Sequence, residues 1–435
     1  MTPMDSHNFD AVETLGRDEL RAFQLQKLTS VLEVIWNRNR FYTTKFGDAG
    51  FDPHDLTTLD DLDRLPYTTK SELVAAQGEG AFLSTNCTFP EGAYTRIHQT
   101  SGTTGEPLRV FDTADSWDWW ERCWANVMAG AGLTASDRLF LPFSFGPFIG
   151  FWAALGGAEK LGALVISGGG RDSRQRLDLI ERFAPTAMSC TPTYALRLAE
   201  VAREAGIDPA KSSLRLTIHA GEPGASVPAT KARIEREWGV RCYDHAGASE
   251  VGAHSFECAP QPGSIHVMES EFIVEVRDPD SGEPVAPGQR GELVLTNLGR
   301  PGFPVIRYRT GDVVKVDPTP CPCGRTFLRL SGGILGRTDD MLVVRGVNVF
   351  PSLIDDIVRR IHGIDEYRVT LTNRRHMSHL VIEIECAEGA DTAEPSHLLV
   401  AAFQRELAFA PEVVPVERGL LPRFELKARR FTIET

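Results

Sequence analysis

The chain has 435 residues, 42% of them hydrophobic and 24% charged, which is an ordinary globular composition with enough length for two or three domains. Its formal net charge of −13 argues against a general nucleic-acid binder and against a protein of anionic membrane surfaces, because both need clustered lysine and arginine. The sequence shows neither a long apolar run nor a secretory signal, and its eight cysteines are too sparse for a disulfide scaffold, so we expect a cytoplasmic protein.

The first hundred residues predict helices followed by a short strand. Five apolar residues repeat at the spacing of one helix face, namely Leu28, Val31, Leu32, Ile35 and Trp36. Shorter helical turns follow between residues 59 and 73, and residues 94–98 predict a strand.

A segment rich in small hydroxyl side chains and glycine comes next, at residues 100–107. Its backbone N–H groups and hydroxyls can point at one centre and hold a polyanion, and its glycines allow the backbone to approach a ligand closely. The segment lacks the Walker A spacing, and an ordinary surface turn explains it equally well when it is taken alone.

Strands and helices alternate from residue 109 to residue 243. The predicted strands are 109–111, 139–141, 163–167, 186–190, 214–218 and 240–243, and the predicted helices are 114–129, 151–161, 174–183, 193–204 and 225–238. This alternation predicts a mostly parallel α/β sheet with ligands at the carboxyl ends of its strands. The triple glycine at 168–170 lacks the spacing of a dinucleotide-binding motif and predicts a turn.

The pattern changes after Gly263 to short β-rich runs separated by turn residues. The runs 264–268, 272–276, 292–296 and 313–316 predict an antiparallel or barrel-like subdomain. Beyond residue 336 the order of a loop, a helix at 351–361, strands at 367–372 and 379–386, a helix at 395–407 and a strand at 413–416 predicts a small α+β unit. We therefore expect a large domain at 1–335 and a small domain at 336–435.

Four later segments could cooperate with residues 100–107. They are Ala-Gly-Glu-Pro at 220–223, Asp-His-Ala-Gly-Ala-Ser-Glu at 244–250, Tyr-Arg-Thr-Gly-Asp at 308–312, and Gly-Arg-Thr-Asp-Asp at 336–340 with the continuation 345–351. Each segment alone is typical of an ordinary turn. Their order and spacing along the chain, taken together, are a specific signal that the segments form one site.

On these segments and on residues 94–98, the chain resembles the ANL superfamily of adenylate-forming enzymes, and more closely its phenylacetate–CoA ligase branch. The resemblance implies a large α/β N-terminal domain of mostly parallel sheets plus a β-rich subdomain, and a small mobile α+β C-terminal domain. It implies that a carboxylate attacks the α-phosphate of Mg·ATP to give an acyl-adenylate and pyrophosphate. A thiol, usually that of coenzyme A, then displaces AMP.

The resemblance also implies the nucleotide site. The residues that would hold the β- and γ-phosphates are Ser101, Gly102, Thr103, Thr104 and Gly105, with Thr103 assigned to catalysis as well. The residues that would flank the adenine are Ala220, Gly221, Glu222, Pro223 and Asp244, with Ser249 also near the nucleotide. The chain departs from common family residues at Ala246, where many members have an aromatic residue, and at Glu106, where lysine is frequent.

The remaining roles in the nucleotide site concern charged residues. Glu250 would bind magnesium, Asp312 would accept both ribose hydroxyls, and Arg337 would contact phosphate. Asp339 is in the hinge position about which the small domain turns between half-reactions, and residues 345–349 would line the pantetheine tunnel.

Lys427 follows a Leu-Pro-Arg sequence and resembles the catalytic lysine of the family, which neutralises charge on the α-phosphoryl group in the transition state. The alternative for Lys427 is a solvated charge run at 427–430.

Two cysteine-containing pairs suggest a metal. His254 and Cys258 are four residues apart and would share a face of a helix, and Cys321 and Cys323 supply a second pair. One histidine and three cysteines form a closed structural zinc set, as in similar enzymes of this branch. The alternative is four unrelated residues with the cysteines packed as small hydrophobic side chains.

An aromatic run at 143–152 lies where this branch forms its acyl pocket. We expect Phe143, Phe145, Phe148, His219 and Gly247 to surround a small aryl or arylacetic acid. Core packing of the rings and a structural role for His219 are the alternatives.

Three functions follow from these expectations. They are an ATP-dependent aryl-CoA ligase, the same adenylation with transfer to a carrier-protein thiol or an amine, and a non-catalytic nucleotide-binding relative. Neither nucleic acid nor a membrane is an expected partner, and a homodimer remains open.

Overall fold

A computed structural model describes residues 11–78, 80–100, 106–344, 347–374, 377–386, 392–424 and 427–434. The predicted phosphate loop at 101–105 and residues 345 and 346 of the predicted pantetheine loop lie outside the described residues. The α-helices are α1 (Arg17–Ile35), α2 (Arg40–Asp48), α3 (Lys70–Ala75), α4 (Ala114–Gly130), α5 (Ile149–Leu161), α6 (Ser173–Phe183), α7 (Pro192–Glu204), α8 (Pro228–Trp238), α9 (Pro351–Arg360) and α10 (Ala393–Leu407).

The strands of the first 300 residues are β1 (Tyr94–Gln99), β2 (Arg109–Thr113), β3 (Arg138–Leu141), β4 (Leu164–Ser167), β5 (Ala187–Cys190), β6 (Leu216–His219), β7 (Arg241–Ala248), β8 (Gly252–Glu257), β9 (Ser264–Val267), β10 (Phe272–Arg277) and β11 (Arg290–Asn297). The later strands are β12 (Tyr308–Asp317), β13 (Arg329–Ser331), β14 (Gly336–Arg337), β15 (Leu342–Val344), β16 (Val347–Val349), β17 (Ile364–Arg374), β18 (Met377–Cys386), β19 (Glu412–Val416) and β20 (Phe431–Glu434). Most predicted elements are present within a few residues of their predicted bounds. The elements that the sequence analysis missed are α2, β8, β13, β14, β15, β16 and β20.

One twelve-stranded sheet organises the large domain. Its strands follow the order β10-β11-β12-β13-β9-β8-β7-β6-β5-β3-β4, and β14 pairs with β12. The pairs from β4 to β7 are parallel, which confirms the interpretation of the strand–helix alternation. The pairs from β7 to β10 are antiparallel, so the β-rich region extends the parallel sheet instead of closing into a separate barrel.

The junction of the parallel and antiparallel parts positions two segments predicted for nucleotide binding. The pairing of β6 with β7 ends where His219 is opposite Asp244, so the turn after β6 lies beside the second half of β7, which pairs with β8. Ligands of open α/β sheets bind at this edge, beyond the carboxyl ends of the strands. Strands β1 and β2 pair with each other, and Gln99 at the end of β1 is opposite Arg109 at the start of β2.

The small domain has its own hydrophobic core. Its four-stranded sheet has the order β19-β18-β17-β20, and β15 pairs with β16 in a separate hairpin. Apolar side chains from α9, α10 and this sheet form a cluster that includes Ile354, Val358, Ile382 and Phe403. Among the described residues, none of the helices combines the length and the apolar character needed to cross a lipid bilayer.

Candidate active site

Hydrogen bonds close the base of the predicted phosphate loop. Thr100 N–H donates to the Leu108 carbonyl at 2.9 Å, and Leu108 N–H donates to Thr100 Oγ1 at 3.0 Å. Gln99 N–H donates to the carbonyl of Pro147 at 2.9 Å, which joins the loop base to the aromatic run. The side-chain amide of Gln77 donates to Glu106 Oε1 at 3.4 Å, so this acidic residue has a partner within the large domain.

The turn after β6 meets the predicted catalytic lysine. Gly221 has φ of +94°, which favours glycine, and a Cβ built at this position would lie 3.5 Å from Cε of Lys427. The lysine therefore reaches from the small domain across the turn at 220–223. Two segments that are about 200 residues apart in the sequence are thus brought together.

Part of the Lys427 side chain is exposed to solvent. Burial among protein atoms lowers its pKa, the charges of Glu222 and Glu250 raise it, and the charges of Lys70 and Arg337 lower it. Three of these four charged residues, Glu222, Glu250 and Arg337, are ones that the sequence predicts for the nucleotide site. These surroundings favour the predicted role of Lys427 over that of a solvated charge run.

Glu222 connects the two domains. Its Oε1 accepts a hydrogen bond from Thr193 N–H at 2.9 Å, at the start of α7, and its Oε2 accepts one from Ala428 N–H at 2.7 Å. Pro223, the next residue, is exposed, and Ala220 packs at the edge of the main core.

Asp244 is buried at the end of the paired part of β6 and β7. Burial raises the pKa of its carboxyl to about 7, the charge of Glu257 adds to this, and Lys231 opposes it. A Cβ at Gly333 would lie 2.7 Å from Asp244 Oδ2, so the backbone at Gly333 approaches the carboxylate closely and leaves no space for a side chain.

Glu250 is buried in the turn between β7 and β8. Tyr308 O–H donates to its Oε1 at 2.7 Å, and Nζ of Lys70 lies 3.9 Å from the same oxygen. Because Oε1 is held in this way, Oε2 is the oxygen suited to a hard cation such as magnesium.

Arg300 holds the backbone of this turn. Its Nη1 donates to the carbonyls of Ser249 at 2.8 Å and of Glu250 at 3.1 Å. Its other nitrogens form a buried pair with Asp112 of β2. The sequence analysis missed both residues, since a single arginine and a single aspartate 188 positions apart give no local signal.

Asp312 and Arg337 lie side by side near the domain boundary. Arg337 Nη1 donates to Asp312 Oδ1 at 3.4 Å and to the carbonyl of Thr310 at 3.1 Å, and its Nε and Nη2 contact both oxygens of Asp339 at 2.8 and 3.0 Å. Burial raises the pKa of Asp312 to about 6, Arg337 lowers it and Glu250 raises it. Burial also acts to raise the pKa of Asp339, but Arg337 outweighs this effect and keeps it below its usual range.

A cluster of three cysteines and one histidine lies in the large domain. Its members are Cys258, His266, Cys321 and Cys323, whose ligand atoms all lie within 4.8 Å of one another. The prediction that His254 completes this set is wrong. His254 lies in strand β8 and not in a helix, so it would be about 13 Å from Cys258 along the chain, and its Nδ1 contacts Ser255 Oγ at 2.7 Å. His266 enters the cluster because β9 pairs with β8, a pairing that sequence spacing does not reveal.

The predicted acyl-pocket residues have different environments. Phe143 is 3% exposed and stacks on Phe151 at a centroid distance of 3.5 Å, whereas Phe148 is 37% exposed and Phe145 packs on Trp152 at 4.6 Å. Phe143 is therefore mainly a core residue.

The two other residues predicted for the acyl pocket lie near the carboxyl ends of β6 and β7. His219 is fully buried, with Nδ1 at 3.0 Å from the Cys190 carbonyl and Nε2 at 2.9 Å from Thr217 Oγ1. Both ring nitrogens have protein partners, so this geometry favours the structural alternative for His219. A Cβ at Gly247 would lie 2.9 Å from the Gly252 carbonyl, which explains the glycine there by strand pairing.

Comparisons with known proteins agree with this arrangement. The model of the AMP-binding enzyme family matches residues 66–299, and the model of the AMP-binding enzyme C-terminal domain matches residues 346–433. A phenylacetate-coenzyme A ligase of Escherichia coli (strain K12) is 35% identical over 431 residues, covering 97% of this chain and 96% of that protein. A phenylacetate-coenzyme A ligase of Thermus thermophilus is 34% identical over 380 residues, covering 87% of this chain and 84% of that protein.

Solved structures add information on domain orientation. A 2-hydroxyisobutyryl-CoA ligase in the postadenylation state, in complex with 2-HIB-AMP, superposes with a TM-score of 0.94 at 31% identity, covering 100% of this chain and 94% of that chain. The same ligase with 2-HIB-AMP and CoA in the thioesterification state has a TM-score of 0.76 at 32% identity and the same coverage. The two domains of this protein are therefore arranged as in the postadenylation state.

Proposed function

Because the chain belongs to the AMP-binding enzyme family, we propose that it activates a small aromatic carboxylic acid with ATP and transfers the acyl group to coenzyme A. In the first step the acid attacks the α-phosphorus of ATP, and an acyl-adenylate forms as pyrophosphate leaves. In the second step the thiol of coenzyme A attacks the acyl carbon, and AMP leaves. The observation that carries this proposal is the position of Lys427 over the turn at 220–223, in an orientation shared with a CoA ligase bound to an acyl-adenylate.

Lys427 acts in the first step. Its ammonium group neutralises the charge that develops on the α-phosphoryl oxygens as pyrophosphate departs. The sequence assigns the leaving phosphates to residues 101–105, and the described residues on either side of them, Gln99 and Arg109, are paired strand ends.

Three charged residues orient the nucleotide. Asp312 accepts hydrogen bonds from the two ribose hydroxyls, because an ionised carboxylate offers acceptors only. Arg337, next to Asp312, contacts phosphate, and Glu250 supplies an oxygen ligand for the magnesium ion that accompanies ATP. When bound, the ion neutralises phosphate charge.

The relatives support an aromatic acid as substrate. Four curated phenylacetate-coenzyme A ligases are 33–35% identical to this chain over most of their lengths. The aromatic run at 143–152 provides flat apolar surfaces beside the end of β1, to which the hydrogen bond from Gln99 to Pro147 connects it.

A two-stage assay tests this function. Purified enzyme is incubated with ATP, labelled pyrophosphate and a panel of carboxylic acids, and we expect exchange that depends on phenylacetate or a related aromatic acid. Coenzyme A is then added, and the thioester is detected by mass spectrometry. Absence of exchange with every acid would contradict the proposal, and an adenylate without a thioester would favour transfer to a carrier protein or an amine.

We further propose that the cysteine–histidine cluster binds a structural zinc ion. A tetrahedral zinc ion with Zn–S bonds of about 2.3 Å separates its ligand atoms by about 3.8 Å. The Sγ atoms of Cys258 and Cys321 are 3.6 Å apart, and Cys323 Sγ lies 3.5 Å from His266 Nε2. The other ring nitrogen of His266 lies 3.3 Å from the Phe327 carbonyl, which leaves Nε2 for the metal.

The free state of the cysteines indicates the cellular compartment in which the protein works. Each of the eight is in the described part of the chain, and no disulfide joins any two of them there. Reduced cysteines and a thiolate metal site fit a reducing compartment, which supports our proposal of a cytoplasmic enzyme.

A further inference from the structure

The two oxygens of the Glu222 carboxylate accept hydrogen bonds from different domains. Oε1 is bound by Thr193 N–H, in the first turn of α7, and Oε2 is bound by Ala428 N–H, the residue after Lys427. We call these three groups the interdomain latch. The distances of 2.9 and 2.7 Å are those of strong hydrogen bonds to a charged acceptor.

Of the two hydrogen bonds in the interdomain latch, only the one from Ala428 depends on the orientation of the small domain. Thr193 and Glu222 belong to the same domain, so their bond is kept wherever the small domain lies. Ala428 N–H reaches Oε2 only when the small domain places Lys427 over Gly221. Rotation of the small domain would therefore leave one oxygen of a largely enclosed carboxylate without its backbone donor, which is unfavourable.

The negative charge of Glu222 also acts on Lys427. Burial lowers the pKa of the lysine, and the Glu222 charge is the first effect that opposes it. The latch thus supports both the position and the protonation of the lysine at the moment when cationic charge is needed.

We propose that Glu222 is a positioning residue that holds Lys427 in place for adenylation and releases it when the domains rotate for thioester formation. This inference rests on the proposed function and gives Glu222 a role different from adenine binding. Its side chain points to the start of α7 and to Ala428, so the adenine contact belongs to the backbone of the turn.

The test compares the two half-reactions in variants of the full-length enzyme. Glu222→Gln retains the size of the side chain but has only one acceptor oxygen for two N–H donors, and Glu222→Asp retains the charge but is one methylene too short. Glu200→Gln is the matched control, because Glu200 contacts Arg423 at 3.3 Å across the same domain interface, away from Lys427. Acid-dependent pyrophosphate exchange reports the first step, and single-turnover conversion of preformed acyl-adenylate with coenzyme A reports the second.

We expect Glu222→Gln to lower the ratio of the exchange rate to the thioester-forming rate by roughly 10- to 100-fold, the effect of losing a hydrogen bond to a charged group. The Michaelis constant for ATP should change little, and Glu200→Gln should leave the ratio within about twofold of the wild-type value. A higher Michaelis constant for ATP with an unchanged ratio of the two rates would overturn the inference in favour of adenine binding.

Amide hydrogen exchange provides a readout that does not need activity. In peptides that contain Ala428, exchange should be slow in the wild type and in Glu200→Gln, and faster in Glu222→Gln. Equal exchange in all three proteins would overturn the inference. Failure of the wild type to use any acid would refute the proposed function, while this measurement would still decide whether the latch exists.

Discussion

Arg300 and Asp112 form a bidentate ion pair in which neither side chain reaches solvent. Nε of Arg300 lies 2.7 Å from Oδ1 of Asp112, and Nη2 lies 2.8 Å from Oδ2. Nη1, the arginine nitrogen that does not contact Asp112, donates hydrogen bonds to the carbonyls of Ser249 and Glu250. The pair therefore joins β2 to the turn that carries Glu250, the proposed magnesium ligand, and it links two parts of the proposed ATP site.

Loss of this arginine should affect both stability and catalysis. Arg300→Met leaves the Asp112 charge buried without its partner, which lowers the free energy of unfolding by about 3–5 kcal/mol. Release of the Glu250 turn should also raise the Michaelis constant for ATP. Arg203→Met, which removes an exposed ion pair with Glu237, is the control and should change stability by less than about 1 kcal/mol. Urea denaturation of both variants measures the difference, and equal midpoints would show that the buried pair has no special role.

The titration of Asp312 should control ATP binding. Burial raises the pKa of its carboxyl to about 6, and the protonated form has lost an acceptor for the ribose hydroxyls. The Michaelis constant for ATP should therefore rise as the pH falls below about 6, by roughly tenfold per pH unit, and should be flat above it.

Two variants separate this effect from the titration of ATP itself. Asp312→Asn should weaken ATP binding at every pH and abolish the dependence near pH 6. Arg337→Gln removes the cation that lowers the pKa of Asp312, so the dependence should move to higher pH. A profile that is the same in all three proteins would assign the effect to the nucleotide.

Zinc content tests the metal cluster and the corrected ligand set together. Protein purified without chelator should contain about one zinc ion per chain by elemental analysis. His266→Ala and Cys321→Ser should lose the metal, whereas His254→Ala should keep it because His254 lies outside the cluster. Metal retention in His266→Ala with loss in His254→Ala would restore the original prediction, and an absence of zinc in the wild type would refute the site.

The sequence predicted those features whose signals are local. Strand–helix alternation requires only neighbouring residues, so the parallel half of the sheet and the turn after β6 were found, whereas β7 continues to Ala248, beyond its predicted end at residue 243. The pairing of β8 with β9 joins separate segments, which is why His266 was missed and His254 was chosen. The bonds of Arg300 with Asp112 and of Glu222 with Ala428 span about 190 and 200 residues, and only the folded chain reveals them.

The aromatic run should separate into core and pocket residues. Phe143 is almost fully buried against Phe151, so Phe143→Ala should lower the free energy of unfolding by about 3–5 kcal/mol. Phe148 is partly exposed, so Phe148→Ala should have a much smaller effect on stability and instead raise the Michaelis constant for an aromatic acid. Denaturation and exchange kinetics with phenylacetate measure the two effects. An unchanged constant in Phe148→Ala would exclude this ring from the pocket.

Lys427 should be needed for one half-reaction only. Lys427→Ala removes the cation placed over Gly221, and acid-dependent pyrophosphate exchange should fall by about 10²–10³-fold, the effect typical of losing one group that stabilises transition-state charge. Thioester formation from preformed acyl-adenylate should change far less, because the α-phosphoryl group has already been transferred. Arg429→Ala, two residues away on an exposed side chain, is the matched control for loss of charge in this segment and should retain exchange. Equal losses in both half-reactions would mean that Lys427 binds the adenylate in general and does not act specifically in its formation.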